Sequence, residues 1–198
     1  FNSSTPFQLF NTAFSRGQQP IAINGLVWMG DVSFMRQQVF DKIDAGFDCI
    51  KLKIGALDFE VECQLLAEIR ERYPAKDVTL RVDANGAFSS NEAFDKLKIL
   101  AEFDLHSIEQ PIAAGQHKAM ADLCAKTLLP IALDEELIGV MQHDAKQKLL
   151  DDINPQYIIL KPSLLGGFAA SEAWIGLAEE RHIQWWVTSA LESNVGLN

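Results

Sequence analysis

The sequence predicts an α/β fold, a TIM-like (β/α) barrel with seven of its eight strands present, and three observations carry that prediction. Short, near-continuous apolar runs alternate with longer amphipathic stretches from Ile21 to Val187. The runs recur every 25–30 residues or so, and strands that alternate with helices must pair in parallel, because each crossover returns the chain to the same sheet edge. One polar or ionisable cluster stands at the C-terminal end of each run from the second onward.

Taken in order, the first run is Ile21–Trp28, bounded by Pro20 and Gly30. Residues 34–45 have helical spacing, and Gly46 separates them from the run Asp48–Ile54. Residues 58–73 place Phe59, Cys63, Leu66, Ile69 and Tyr73 on one helical face, stopped by Pro74. Val78–Val82 is the third run, followed by a helix from Ser90, its expected N-cap, to Glu102. Leu105–Ile108 and helix 116–126 follow, then Pro130–Leu133 and helix 143–150. Gln156–Leu160 and helix 167–181 complete the next unit, and Gln184–Val187 is the seventh run. Runs so short and apolar suit strands covered by helices. A dinucleotide-binding sheet would place GxGxxG after the first strand, and residues 28–34 (WMGDVSF) do not supply it. Residues 1–19 belong to none of the repeats.

Of the 198 residues, 48% are hydrophobic and 22% charged, with 17 Lys and Arg against 27 Asp and Glu. The net charge of −10 argues against nucleic acid as a partner, since phosphate neutralisation needs a basic face. No apolar run reaches the ~20 residues of a membrane helix, and Phe1–Gln8 lacks the basic-then-apolar order of a secretory leader. A cytoplasmic location is expected. Cys49, Cys63 and Cys124 are odd in number and unpaired in spacing, which suits buried thiols in a reducing compartment. The four histidines are scattered, so a bound metal would take carboxylate ligands.

The strand ends hold the chemistry. They read Lys51-Leu52-Lys53, Asp83-Ala84-Asn85, Glu109-Gln110-Pro111, Asp134-Glu135-Glu136, Lys161-Pro162 and Thr188-Ser189. In a barrel these ends converge on the mouth where active sites lie. Lys51 and Lys53 are two apart on a strand and share a face, so repulsion and desolvation are expected to lower one lysine toward neutrality. Asp83, Glu109 and Asp134 can offer three oxygens to a hard cation, with Mg²⁺ fitting best and Mn²⁺ in its place. Lys161 would face Lys53 across the mouth. A divalent ion on a substrate carboxylate stabilises an enediolate once a lysine removes the α-proton. Each motif alone also reads blandly: KxK as an exposed strand, Asp83–Gly86 as a turn, Glu109–Pro111 as a strand cap. Their shared register favours the catalytic reading. Gly166-Gly167 either begins a helix or binds an anionic group, and Glu192 either supports the site or is a plain loop residue. Trp185-Trp186 are expected in the core.

These residues resemble the enolase superfamily, in its muconate-lactonizing-enzyme-like subgroup. The ordered match is KLK at 51–53, DAN at 83–85, EQP at 109–111, DEE at 134–136 and ILKP at 159–162. Within the subgroup, NGLVWMG at 24–30, DANGAF at 83–88, DEELIG at 134–139, LKPSLLGG at 160–167 and SALESNVGLN at 189–198 are similar to the dehydratases that form o-succinylbenzoate in menaquinone biosynthesis. The resemblance implies that Lys53 takes the α-proton and returns it to the departing hydroxyl in a syn dehydration, with Lys51 tuning it and contacting the carboxylate. It implies Mg²⁺ on Asp83, Glu109 and Asp134, backed by Asn85 and Glu135, and Lys161 as the cation that stabilises the enediolate. Thr188, Ser189, Gly166 and Gly167 are the implied contacts for the succinyl end of a small carboxylate substrate. Family members carry a preceding α+β capping domain and an eighth strand. Residues 1–19 are therefore expected to be a remnant of the cap or a linker from it, and 20–198 an incomplete, truncated barrel. Two alternatives stay open: an N-acylamino-acid racemase or dipeptide epimerase using Lys53 and Lys161 as opposed bases, and a barrel fragment that turns nothing over. The oligomeric state is left open.

Overall fold

The computed structural model describes residues 11–193. Residues 1–10 of the expected cap remnant or linker at 1–19, and the end of the SALESNVGLN motif at 194–198, lie outside them. Seven strands form one sheet in chain order: β1 Gly25–Val27, β2 Cys49–Lys53, β3 Thr79–Asp83, β4 Ser107–Glu109, β5 Ile131–Leu133, β6 Tyr157–Leu160 and β7 Gln184–Val187. Every adjacent pair is parallel. The crossovers carry α1 Val32–Asp44, α2 Phe59–Arg72, α3 Ala93–Leu100, α4 His117–Lys126, α5 His143–Ile153, the short α6 Pro162–Leu165 and α7 Phe168–Glu180. The result is the wall of a (β/α) barrel.

Local chemistry sets the helix ends. Asp31 accepts from the Phe34 amide at 2.9 Å and Asp58 from the Glu60 amide at 2.9 Å, capping α1 and α2. Leu65, Leu66 and Ile69 of α2 are buried against the sheet, while Ile50, Leu52, Leu80, Val82, Ile108, Ile158 and Leu160 form its core face. Side chains alternate across a strand. Burying that apolar set under the helices therefore turns Lys51, Lys53, Asp83 and Glu109 to the other side. Register then puts Lys53 opposite Asp83 and Asp83 opposite Glu109.

Three expectations change. The first strand is three residues rather than eight, with Ile21 and Ile23 exposed, because only Gly25, Leu26 and Val27 find partners on β2. Ser90 caps nothing: α3 begins at Ala93, after Phe88 is held by the Pro111 carbonyl at 3.1 Å and bridged to Ile112. The chain is pinned to the next loop before it can coil. Trp185 is exposed, and Trp186 is half-buried with its ring under the Arg81 guanidinium at 4.2 Å and beside Tyr157 at 5.3 Å. Among the described residues β7 pairs only with β6, so its tryptophans are covered from one side. The three cysteines are free; Cys124 is buried, which pushes its thiol up to about 12, whereas Cys49 and Cys63 are half-buried, against the expectation of buried thiols.

Asn85 and Gly86 have positive φ of 45° and 74°, so the Asn-Gly turn forms and also carries a site residue. A Cβ on Gly86 would sit 2.9 Å from the Ala113 Cα, and the Gly86 amide donates to the Gln110 carbonyl at 2.7 Å. Gly86→Ala is expected to cost about 1–3 kcal/mol through the strained φ and the backbone clash. Thermal unfolding checks it, and an unchanged Tm would show the turn relaxing freely.

Candidate active site

The ends of β2 to β6 place six charged side chains in one cluster. Lys51, 7% exposed, donates to Glu109 Oε2 at 2.6 Å and to Asp83 Oδ2 at 3.2 Å. Lys53 reaches Asp83 Oδ2 at 2.5 Å and Asn85 Oδ1 at 2.7 Å. Lys161, which starts the turn into α6, pairs with Asp134. Asp83, Glu109 and Asp134 are buried, and one oxygen from each lies within 4.8 Å of the others. Three lysines and three acidic side chains thus face one another in the cluster.

Burial is the main force on the acids. It pushes Glu109 up to about 8, with the neighbouring Asp83 charge adding and Lys51 opposing. Burial likewise raises Asp134 against Lys161, whereas at Asp83 the lysine charges outweigh burial and hold it low. The expectation of a lysine lowered by its neighbour fails at Lys51. Burial does pull it down, but the Glu109 and Asp83 charges outweigh that and raise it. The like-charged neighbour matters less than two carboxylates in contact.

The triad suits a divalent cation. Glu109 Oε1 is buried with no hydrogen-bond partner, and a buried acceptor without a donor is costly. Oxygens at 2.0–2.6 Å from one ion span roughly 4–5 Å at most, and the three oxygens lie within 4.8 Å of one another. Asp83, Glu109 and Asp134 can therefore hold a metal ion between them.

The supporting residues are also brought together. Asn85 Nδ2 donates to Glu135 Oε1 at 2.9 Å while its carbonyl accepts from Lys53. The Asn85 amide donates to Asp83 Oδ1 at 3.0 Å. Asn85 thus fixes both the Lys53 ammonium and the Asp83 carboxylate. Thr188 follows β7, and its amide donates to the Leu160 carbonyl at 2.9 Å. The Ser189 hydroxyl is engaged by Glu192 Oε2 at 2.8 Å. Gly166 and Gly167 both give their amides to the Pro162 carbonyl, ending α6 and opening α7. The pair thus forms the turn between the two helices, as one of its two readings expects. Glu192, left open by the sequence, is a tie. It accepts from Ser163 Oγ at 2.5 Å, Ser189 Oγ and the Ala190 amide at 2.7 Å, and the Ser163 and Ser189 hydroxyls hold it down at about 2. Sequence reasoning passed over Ser163, Gln110 and Glu136; the EQP and DEE motifs contain the last two but carry no sign of which way they face.

The sequence model of the enolase C-terminal domain-like family matches residues 35–198. The o-succinylbenzoate synthase of Desulfotalea psychrophila is 56% identical over 188 residues, 95% of this chain and 51% of its own length. The crystal structure of MenC from Desulfotalea psychrophila LSv54 superposes with a TM-score of 0.89 at 55% identity, covering 95% of this chain and 52% of that one. An N-succinylamino acid racemase of Thermus thermophilus is 36% identical over 78% of this chain and 39% of its own. The chain thus spans about half the length of these curated relatives or less. Among the described residues no helix is long and apolar enough to cross a membrane.

Proposed function

The chain belongs to the enolase C-terminal domain-like family, and on that premise we propose that it is the catalytic barrel of an o-succinylbenzoate synthase. The reaction is a lyase step that dehydrates 2-succinyl-6-hydroxy-2,4-cyclohexadiene-1-carboxylate to the aromatic acid. Six charged side chains from five consecutive strand ends, meeting in one buried cluster, support this reading. The relative at 56% identity bears that name.

Asp83, Glu109 and Asp134 would hold Mg²⁺, which when bound supplies electrophilic polarisation of the substrate carboxylate. Lys53, as its neutral amine, takes the proton from the carbon α to that carboxylate and becomes the ammonium. Its Nζ then gives the proton to the departing hydroxyl on the same face, so water leaves and the ring becomes aromatic. Lys161 presents an ammonium to the negative charge that develops on the carboxylate oxygens. Lys51 keeps its charge beside Asp83 and Glu109 and holds both carboxylates in place. Asn85 orients Lys53. Thr188, Ser189 and the turn at Gly166-Gly167 would lie toward the succinyl end of the substrate.

The test is turnover of the cyclohexadiene by the full-length protein with Mg²⁺, read as the absorbance of the aromatic product. No turnover with metal present overturns the assignment. A second reading, an N-succinylamino acid racemase, is favoured by the two lysines from β2 and the β6 end and by the 36% identical relative of that name. Lys161→Arg separates the two readings. A two-base racemase loses deuterium exchange into one substrate enantiomer, whereas a one-base dehydratase keeps part of its turnover because arginine still supplies the cation.

A further inference from the structure

Gln110 and Glu136 lie beside the acidic triad and are used by none of the steps above. Gln110 is fully buried and sits at a positive φ of 36°, a strained conformation for a non-glycine residue that persists only where the surroundings enforce it. Every polar atom of its side chain is engaged. Oε1 accepts from the Asp134 amide at 3.1 Å and the Glu136 amide at 3.3 Å, and Nε2 donates to the Ile112 carbonyl and to Glu136 Oε2, both at 3.0 Å. Glu136, 4% exposed, turns its other oxygen to the Gly115 amide at 2.8 Å and to His117 Nε2 at 3.0 Å.

This pair joins the segment after β4 to the segment after β5 through side chains, just beyond the backbone bond from the Gln110 amide to the Ala132 carbonyl at 2.9 Å. Glu109 immediately precedes Gln110, and Asp134 is the residue whose amide Gln110 holds. We infer that Gln110 and Glu136 are positioning residues, a buried cross-link that sets the separation of Glu109 and Asp134 and thereby tunes how tightly the triad holds a divalent ion. Burying an amide against a carboxylate is costly unless every partner is met; here all are. The inference rests on the reading of the triad as a metal site and deepens it.

The barrel contains a matched control. Gln156 bridges the other end of β5, accepting from the Ile131 amide at 2.9 Å and donating to the Cys124 carbonyl at 3.2 Å, at the end of the sheet away from the triad. Mn²⁺ binding to the full-length protein, followed by the free-ion EPR signal, reads affinity without requiring turnover, and thermal unfolding reads stability alongside. Glu136→Gln keeps volume but turns an NH₂ toward one of its donors, and Gln110→Met removes the bridge. Both are expected to weaken Mn²⁺ binding by about 10–100-fold, the usual effect of losing a partner that orients a metal ligand. Gln156→Met is expected to lower Tm with Mn²⁺ affinity unchanged. If Gln110→Met fails to fold, Glu136→Gln decides alone. Affinity within twofold of wild type in the folded variants overturns the inference, as does an equal loss in Gln156→Met. Wild-type protein that takes up no Mn²⁺ overturns the metal reading and the inference with it.

Discussion

Lys53→Ala is expected to lower turnover by about 10²–10⁴-fold, the range a positioned general base contributes, with the fold and divalent-ion uptake retained. Lys53 ends β2, its side chain is mostly buried, and its Nζ sits between Asp83 Oδ2 and Asn85 Oδ1. Removing it leaves Asp83 with Lys51 still in contact at 3.2 Å, so the buried carboxylate keeps a counter-charge and the fold survives. Lys53→Arg distinguishes a base from a mere cation. Arginine preserves the charge but does not give up its proton at neutral pH, so it is expected to lose as much turnover as alanine does. Product absorbance in a single-turnover assay measures both. Wild-type rates in Lys53→Ala would remove Lys53 from the chemistry, and full activity in Lys53→Arg would reassign it as an electrostatic group.

Lys51→Met is expected to be the most destabilising change at the site. Among the described residues Lys51 is the only lysine in contact with both Asp83 and Glu109, and all three are buried. Taking one partner from a buried ion cluster leaves an uncompensated charge, at a cost of about 3–5 kcal/mol. For a chain of this size that corresponds to a fall in Tm of roughly 6–20 °C. The acids can escape by protonation, and Glu109 is already pushed up to about 8 by burial. A divalent ion binding the native triad offsets the loss by mass action, so added Mg²⁺ is expected to raise the Tm of the variant more than that of wild type. Calorimetry with and without Mg²⁺ checks both parts. Equal metal-induced shifts in the two proteins would mean that Lys51 does not share the triad's charge balance.

Much of this arrangement was legible before any coordinates. The run Asp48–Ile54 holds the strand Cys49–Lys53 because its apolar residues need cover, and Pro74 and Gly46 follow the ends of the neighbouring helices as the sequence predicts. The turn at Asn85-Gly86 announced itself through residues that tolerate positive φ. Ser90 misled because a local capping preference is worth about 1 kcal/mol and loses to the pinning of Phe88 on the Pro111 carbonyl. Trp185 misled because burial depends on what lies across the strand, which side-chain type does not report.

The sequence by itself determined which ionisable groups reach the barrel mouth and in what order. Strand alternation and a repeat of 25–30 residues leave lysine, aspartate, glutamate, aspartate and lysine no other register. Only the tertiary structure decided the signs and the supports. Lys51 is raised rather than lowered because the charges of Glu109 and Asp83, 58 and 32 residues away in the chain, outweigh its burial. Gln110 and Glu136 matter because they meet across two strands. Such contacts depend on distances between elements, and a linear pattern carries the periodicity of one element at a time.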